Sequence, residues 1–496
     1  MLRRIFRYRL RRHWLVTGFC VALFAGVFLA QRVVLGDARW LWLCLAPLPF
    51  ALKKHGALAL LLLAGCGLGL GWWRGGIFAL RMRGDGELYD KQVILVGQAG
   101  DEAVYGKQYQ LEFTLQQVQV VQPVRREFTG SLTVSGFGAP AIYRGDTVAV
   151  TGKLKQTLGN NVGAVRFAKL TVIRRDSSWL NAFRRQFIAG MQSALPEPAA
   201  SFGLGLLIGQ RSTLPDDVNN QLRRVGLTHV IAVSGYNLTI IVMACRRMLA
   251  GRSKYQTLVA CLAVMGLFLL ATGSSPPIVR ASIVSMLSIW AWYYGRSIKP
   301  IVLLLVSGAI TAVMYPPYLW GNVSWYLSFL SFFGVLVLGP LVTRRLCGGR
   351  EPKLLLAVII ETVCATVVVL PYSLYIFGQV SVVGLLANVL VVPLIPLAMC
   401  LALIAGLGGM CLSMVSGWMA WPATFLLTYI LDIAAFLSGL PHAYIENVGV
   451  SWRAMVFMYA TIATVLFILQ QTVYSANDRR KSKIGCYRND SPKPPP

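Results

Sequence analysis

The chain has 496 residues, of which 56% are hydrophobic and only 13% charged, with a mean hydropathy of +0.61. Those values exclude an ordinary soluble globular protein, and repeated apolar runs near the ~20 residues that span a bilayer identify a polytopic α-helical membrane protein. The net charge of +28 comes from 47 Lys and Arg against 19 Asp and Glu; positive-inside bias and basic tails supply about half or more of the excess, and a polyanionic partner is the other source to consider.

The N-terminus carries Arg3, Arg4, Arg7, Arg9, Arg11 and Arg12 ahead of a first span at Trp14–Ala30. That order puts the N-terminus in the cytoplasm, and without a clear small-residue cleavage site the segment reads as a retained signal anchor. A shorter apolar segment at Trp40–Leu52 precedes a Lys53-Lys54-His55 turn, and a third runs from Ala57 to Trp73. Three crossings leave the chain outside. Residues 1–80 are thus a first membrane region.

From Lys91 to Arg175 the pattern changes to strands. Val93–Val96, Gln108–Val120, Glu127–Val134, Asp146–Leu154 and Val165–Ile173 are β-branched and separated by turn signals such as Gly159-Asn160-Asn161. Five strands suggest a small β-barrel of the oligonucleotide/oligosaccharide-binding (OB) type, at residues 81–176 and extracytoplasmic. Its basic residues Arg125, Arg126, Arg144, Lys153, Lys155, Arg166 and Lys169, with Tyr109, Phe113, Phe128, Phe137 and Tyr143, suit phosphate contacts and base stacking. A solvated surface over core aromatics is the competing reading.

Residues 177–225 hold two further helical segments. Trp179–Leu195 sets Trp179, Leu180, Phe183, Phe187 and Ile188 against Arg184 and Arg185, and is expected on the outer membrane surface or as a linker helix packed on the barrel. Phe202–Ile208 is too short to cross and reads as re-entrant or interfacial. Crossings then follow at Val230–Ala244, Tyr255–Leu270, Ile283–Tyr294, Ile301–Met314, Val323–Leu341 and Leu354–Phe377, two broken segments at Val380–Leu407 and Met414–Leu437, an outer loop at Pro441–Val450 and a last crossing at Ala454–Gln470. This topology puts the strongly basic loops on one face. Residues 226–475 make the main membrane domain, and 476–496, basic and then Pro-rich, are expected as a disordered cytoplasmic tail.

Polar residues break the apolar pattern in one stretch above all, Gly226-Leu-Thr-His-Val-Ile-Ala-Val-Ser-Gly-Tyr-Asn-Leu-Thr-Ile-Ile-Val242. A His, a Ser-Gly pair and an Asn inside hydrocarbon need partners or water, and Gly226 and Gly235 permit a helix break. The stretch resembles the signature H-L-L-A-V-S-G-L-H of the ComEC-type competence family, with His229, Ala232, Val233, Ser234 and Gly235 in place and Tyr236-Asn237 where the family has Leu-His. Three more stretches are similar to that family in order: Thr272-Gly-Ser-Ser-Pro-Pro-Ile-Val-Arg-Ala281, Ser324-Trp-Tyr-Leu-Ser-Phe329 with Trp325 and Tyr326 as departures, and Leu386-Ala-Asn-Val-Leu-Val-Val-Pro393. The resemblance implies an inner-membrane channel that passes single-stranded DNA to the cytoplasm during transformation.

Moving a polyanion through a low-dielectric layer needs a hydrated path of neutral hydrogen-bonding groups with cations near its mouths. The candidates for that path are His229, Ser234, Gly235, Asn237, Arg280, Ser328 and Asn388. Arg280, at the outer end of a span, offers a planar fork of donors to a phosphate; helix-end snorkelling or pairing with Glu361 or Asp432 is the alternative role. Glu361 and Asp432 are intramembrane carboxylates suited to proton coupling, the basis of a competing reading as a small-solute secondary transporter. A third reading is a membrane-anchored scaffold whose β domain binds DNA or glycan.

No enzymatic role is expected. Ser234 and His229 lie five apart without a G-x-S-x-G pattern, which argues against a serine hydrolase. Ten scattered cysteines without a C-x-x-C pair, and histidines only at 13, 55, 229 and 442, offer no metal centre, so no cofactor is expected. The family's metallo-β-lactamase-like domain has no counterpart pattern here, nor does a P-loop. DNA receptor, nuclease and cytoplasmic helicase or motor are therefore expected on separate chains, with the lipid bilayer and a second copy of the chain as further partners. The resemblance implies the bacterial plasma membrane, with both termini in the cytoplasm.

Overall fold

The computed structural model describes residues 12–34, 57–106, 109–139, 141–157, 161–210, 214–231, 235–273, 276–296, 298–348, 352–411 and 416–489. The expected segment Trp40–Leu52 with its Lys53-Lys54-His55 turn lies outside them, as does Ser234. The chain forms two compact units, one of Met1–Asn220, Thr228–Tyr326 and Ile395–Asp432, the other of Gln221–Leu227, Leu327–Leu394 and Ile433–Pro496.

The first unit opens with α1 (Arg12–Leu29) and α2 (Ala57–Asp85). Small residues at every fourth position draw the two together: a Cβ on Gly67 would sit 2.4 Å from the Phe19 carbonyl oxygen, and one on Gly71 2.2 Å from that of Leu23. Gly75 meets Ala30 and Val27. Contacts climb both helices together, so the pair is parallel and its backbones touch as in small-xxx-small packing. α2 runs twelve residues beyond the expected Trp73, which carries its C-terminus to the β domain.

That domain holds β1 (Gln92–Ala99), β2 (Val104–Tyr105), β3 (Leu111–Gln122), β4 (Arg126–Glu127), β5 (Leu132–Phe137), β6 (Thr147–Gln156) and β7 (Gly163–Arg174). The five expected strands are all present, and β2 and β4 are short additions paired to β3. β1 pairs with both β6 and β3, β6 with β7, β7 with β5 and β5 with β3, so the circuit closes; only β5 and β7 run parallel. Closure leaves the long strands no open edge. Alternating residues fill the interior, among them Leu95, Leu115, Leu132, Val150, Leu154 and Leu170, each at most 1% exposed. Phe113 and Phe128 belong to this core.

Next come α3 (Trp179–Ala194), α4 (Ala199–Ile208), α5 (Asp216–Arg224), α6 (Thr228–Ile231), α7 (Gly235–Met248), α8 (Lys254–Thr272), α9 (Pro276–Tyr293), α10 (Pro300–Met314), α11 (Pro317–Gly321) and α12 (Val323–Phe333). A π-helical turn at Gly334–Leu338 joins α12 to α13 (Gly339–Cys347), followed by α14 (Leu354–Phe377) and β8 (Val380–Ser381). α15 (Gly384–Val391), α16 (Ile395–Cys411), α17 (Ser416–Ser438), β9 (Tyr444–Ile445) and α18 (Trp452–Asn489) complete the chain. Seven helices among the described residues are long and apolar enough to cross a membrane: Ala57–Leu88, Lys254–Thr272, Val323–Cys347, Leu356–Phe377, Gly384–Cys411, Gly417–Ser438 and Trp452–Gln471.

Three details differ from the sequence reading. α3 turns Phe187, Gly190, Met191 and Ala194 inward against α16, where a Cβ on Gly409 would collide with the Gly190 carbonyl oxygen. Of the stripe expected to meet lipid or barrel, Phe187 is used for close helix packing, Leu180 and Ile188 are half-buried, and Trp179 and Phe183 stay exposed. α17 is continuous through Pro422, whose missing N–H removes one i→i−4 bond without ending the helix. α18 continues to Asn489, through residues expected in a disordered tail; the prolines that stop a helix come only at 492 and beyond.

Candidate functional site

The polar stretch at 226–242 carries α6 (Thr228–Ile231) and, from Gly235, α7; residues 232–234 between them lie outside the described residues. α7, α8 and α9 pack around Leu238, Val242, Cys261, Met265, Phe268, Ile278 and Ile289. At the start of α7, a Cβ on Gly235 would lie 2.7 Å from Ala281 Cβ and 2.9 Å from Arg280 Nη2. The guanidinium therefore rests against this glycine, and Arg280 is 8% exposed. A buried guanidinium keeps its charge and so concentrates positive potential at one spot. Asn237, 1% exposed, donates from Nδ2 to the Leu206 carbonyl oxygen at 3.2 Å. It thereby satisfies one of the orphan carbonyls at the end of α4, a ten-residue helix whose residues are nearly all buried. His229 is exposed on α6.

The β domain is tied to the same helical unit by its own arginines. Arg126 donates to the Gly84 carbonyl oxygen at 2.9 Å and lies 3.8 Å from the buried Asp85 carboxylate, which also accepts from the Thr129 N–H at 2.9 Å. Arg144 donates to the Ala271 carbonyl oxygen at 3.2 Å and covers Gly273, so it meets the end of α8 just before α9 and Arg280. Both arginines complement helix C-termini, where carbonyls lack partners and the dipole is negative. Arg74 of α2 does the same for α10, donating to the Val313 carbonyl oxygen at 2.9 Å. The C-termini of α2, α8 and α10 therefore share one end with the β domain. Beside Arg144, the Glu102 carboxylate faces Arg184 of α3 at 3.9 Å; burial pushes its pKa up, and Arg184, Arg144 and Arg185 pull the other way.

Of the other β-domain candidates, Arg125, Lys153, Lys155 and Arg166 are exposed, with Lys153 3.3 Å from Asp90. Trp325 and Tyr326, the departures in the third family-like stretch, are anchors: Trp325 Nε1 donates to Thr311 Oγ1 at 3.0 Å and Tyr326 Oη to the Leu319 carbonyl oxygen at 2.6 Å. Asp432 is exposed on α17.

In the second unit, Gly226 takes φ +75° and packs on Ser381 and Gly384, so the start of the first polar stretch meets the helix that carries Asn388. Arg223 donates to Gln379 at 2.8 Å alongside. Asn388 is buried, and its Oδ1 and Ser381 Oγ have no hydrogen-bond partner among the described residues. Ser328 is half-buried on α12, and Glu361 is exposed on α14. Sequence reasoning missed Ser381, although its place ahead of the Gly384 turn was visible.

A family model described as "Competence protein" matches residues 206–472. The chain is similar to "ComE operon protein 3" of Bacillus subtilis (strain 168), 23% identical over 272 residues, which is 53% of this chain and 34% of that protein. "Competence protein ComA" of Neisseria gonorrhoeae is 27% identical over 156 residues, 28% of this chain and 23% of that protein. "Uncharacterized protein YcaI" of Escherichia coli (strain K12) is 24% identical over 246 residues, 46% and 31% respectively. The chain thus aligns with about a third or less of the length of these relatives. No solved structure matches it.

Proposed function

Because the chain belongs to the competence-protein family, with that model covering residues 206–472, we propose that it passes single-stranded DNA through the bacterial plasma membrane during natural transformation. The observation that carries this reading is Arg280, a buried cation set against Gly235 where two family-like stretches meet. A phosphate arriving there meets a planar guanidinium, whose geometry matches its oxygens. Within the second unit, Asn388 and Ser328 are neutral hydrogen-bonding groups, and the Asn388 Oδ1, without a partner among the described residues, is of the kind a hydrated path needs. On this reading the chain's task is transport.

The closed circuit of five long strands supports reading the β domain as an OB-type barrel. Its placement outside the cell is supported by the shared end of α2, α8 and α10, the three helices that the positive-inside pattern runs outward. Entry from that side brings a strand to the barrel first and to Arg280 next. The test is internalisation of labelled DNA by cells carrying wild type, a deletion or Arg280→Gln, at matched protein levels. Internalisation in wild type alone is the expected result. Normal internalisation in the deletion removes the proposal.

A further inference from the structure

The outer face of the β domain contains a residue that breaks the strand pattern. In β7, Val165 points into the core and Arg166 out, so strict alternation would send Phe167 inward. Instead Phe167 is 70% exposed and Ala168 is buried. The register slips against both neighbours here, between Val134 and Gly136 of β5 and between Thr151 and Lys153 of β6. Phe167 holds φ +53°, a left-handed conformation that a bulky side chain rarely takes.

Both neighbouring strands accommodate the bulge with a glycine. A Cβ on Gly136 would lie 2.1 Å from the Ala168 carbonyl oxygen, and one on Gly152 2.6 Å from Val165 Cγ1. A strained aromatic pushed into solvent by a bulge that glycines on two strands accommodate, beside Val165 and Ala168, is a built feature. Its surroundings give it a chemistry. Arg166 is adjacent in sequence and pairs with Lys153; Lys169 pairs with the exposed Phe137 on one side and Thr151 on the other; Lys155 lies two residues beyond Lys153. One carboxylate meets these cations, Asp90 at 3.3 Å from Lys153.

Building on the DNA-channel reading above, we propose that Phe167 is a stacking platform for the bases of the incoming single strand, with Arg166, Lys153, Lys155 and Lys169 tracking its phosphates. Aromatic rings within a basic surface hold single strands of any sequence, because every base has a π-face. This places the strand on the β6–β7 side of the barrel, next to Phe137.

The test is fluorescence anisotropy with fluorescein-labelled oligodeoxythymidine and the full-length protein in lipid nanodiscs. Phe167→Gly and Phe167→Leu are expected to weaken binding about tenfold or more, and Phe167→Tyr to preserve it. Glycine adopts the left-handed backbone freely, so Phe167→Gly should melt at or above the wild-type temperature while binding worse, which a merely structural role would not produce. An abasic strand of equal length should bind wild type and Phe167→Gly alike. Equal oligothymidine binding by wild type and Phe167→Gly, or by wild type and Phe167→Leu, overturns the proposal. So does excess quenching of Phe167→Trp by brominated lipid with strand binding unchanged, which assigns the ring to the membrane. If stacking fails while uptake still requires Arg280, the channel reading survives without it. Normal uptake in the deletion strain removes the channel reading itself.

Discussion

At the scale of single residues, the polar groups within the apolar stretches divide by what they touch. Asn237 is committed to the Leu206 carbonyl oxygen, so it holds α7 to the end of a buried short helix. Asn237→Ala is expected to cost about 1 kcal/mol, the range for interhelical hydrogen bonds and orphaned carbonyls, read as a lower melting temperature in detergent. An unchanged melting temperature would show that the carbonyl finds another donor. The positions of Asn237 and Arg280 were legible in the sequence because a polar residue stands out in an apolar run. The partner of each was not: that Gly235 makes room for a guanidinium depends on α9 crossing α7, a contact between residues 45 apart in the chain. Phe167 was hidden for the same reason. Its neighbours Val165, Arg166 and Ala168 read as a regular strand, and the two glycines that permit the bulge lie on other strands.

At the scale of elements, strand and helix positions followed from periodicity, but their pairing rested on close approaches that periodicity does not encode. The five strands and most apolar helices are where alternation and length put them. Helix α3 shows the limit. Its amphipathic pattern was plain, yet Gly190 and Gly409, not the pattern, select α16 as its partner. The parallel pair α1–α2 is set the same way. Gly71→Ile places a branched side chain where a Cβ alone would reach 2.2 Å from the Leu23 carbonyl oxygen. The helices must separate, at a cost of about 2 kcal/mol or more. The expected outcome is a marked fall in melting temperature and in membrane protein level. Gly65→Ile, whose added Cβ meets nothing within 4 Å, serves as the control and should change neither.

At the scale of the whole molecule, orientation decides whether the β domain can meet DNA before the helices do. Three arginines, Arg126, Arg144 and Arg74, each satisfy the carbonyl end of a helix, and together they bring the ends of α2, α8 and α10 to the β-domain side. Arg246 and Arg247 terminate α7, which the positive-inside pattern runs the other way, and Arg246 stacks 4.6 Å from the Trp292 ring near the end of α9. Basic residues therefore serve at both ends of the helices, and net charge alone cannot say which end faces the cytoplasm. Labelling can. In a chain freed of its ten native cysteines, Gln119→Cys on the exposed face of β3 should react with a membrane-impermeant maleimide in intact spheroplasts. Arg247→Cys should react only after permeabilisation. The reverse pattern would put the β domain in the cytoplasm, where Phe167 could meet a strand only after Arg280 had passed it. The barrel would then receive DNA rather than present it, and Phe167→Gly should slow clearance of the strand from the inner mouth instead of its capture outside.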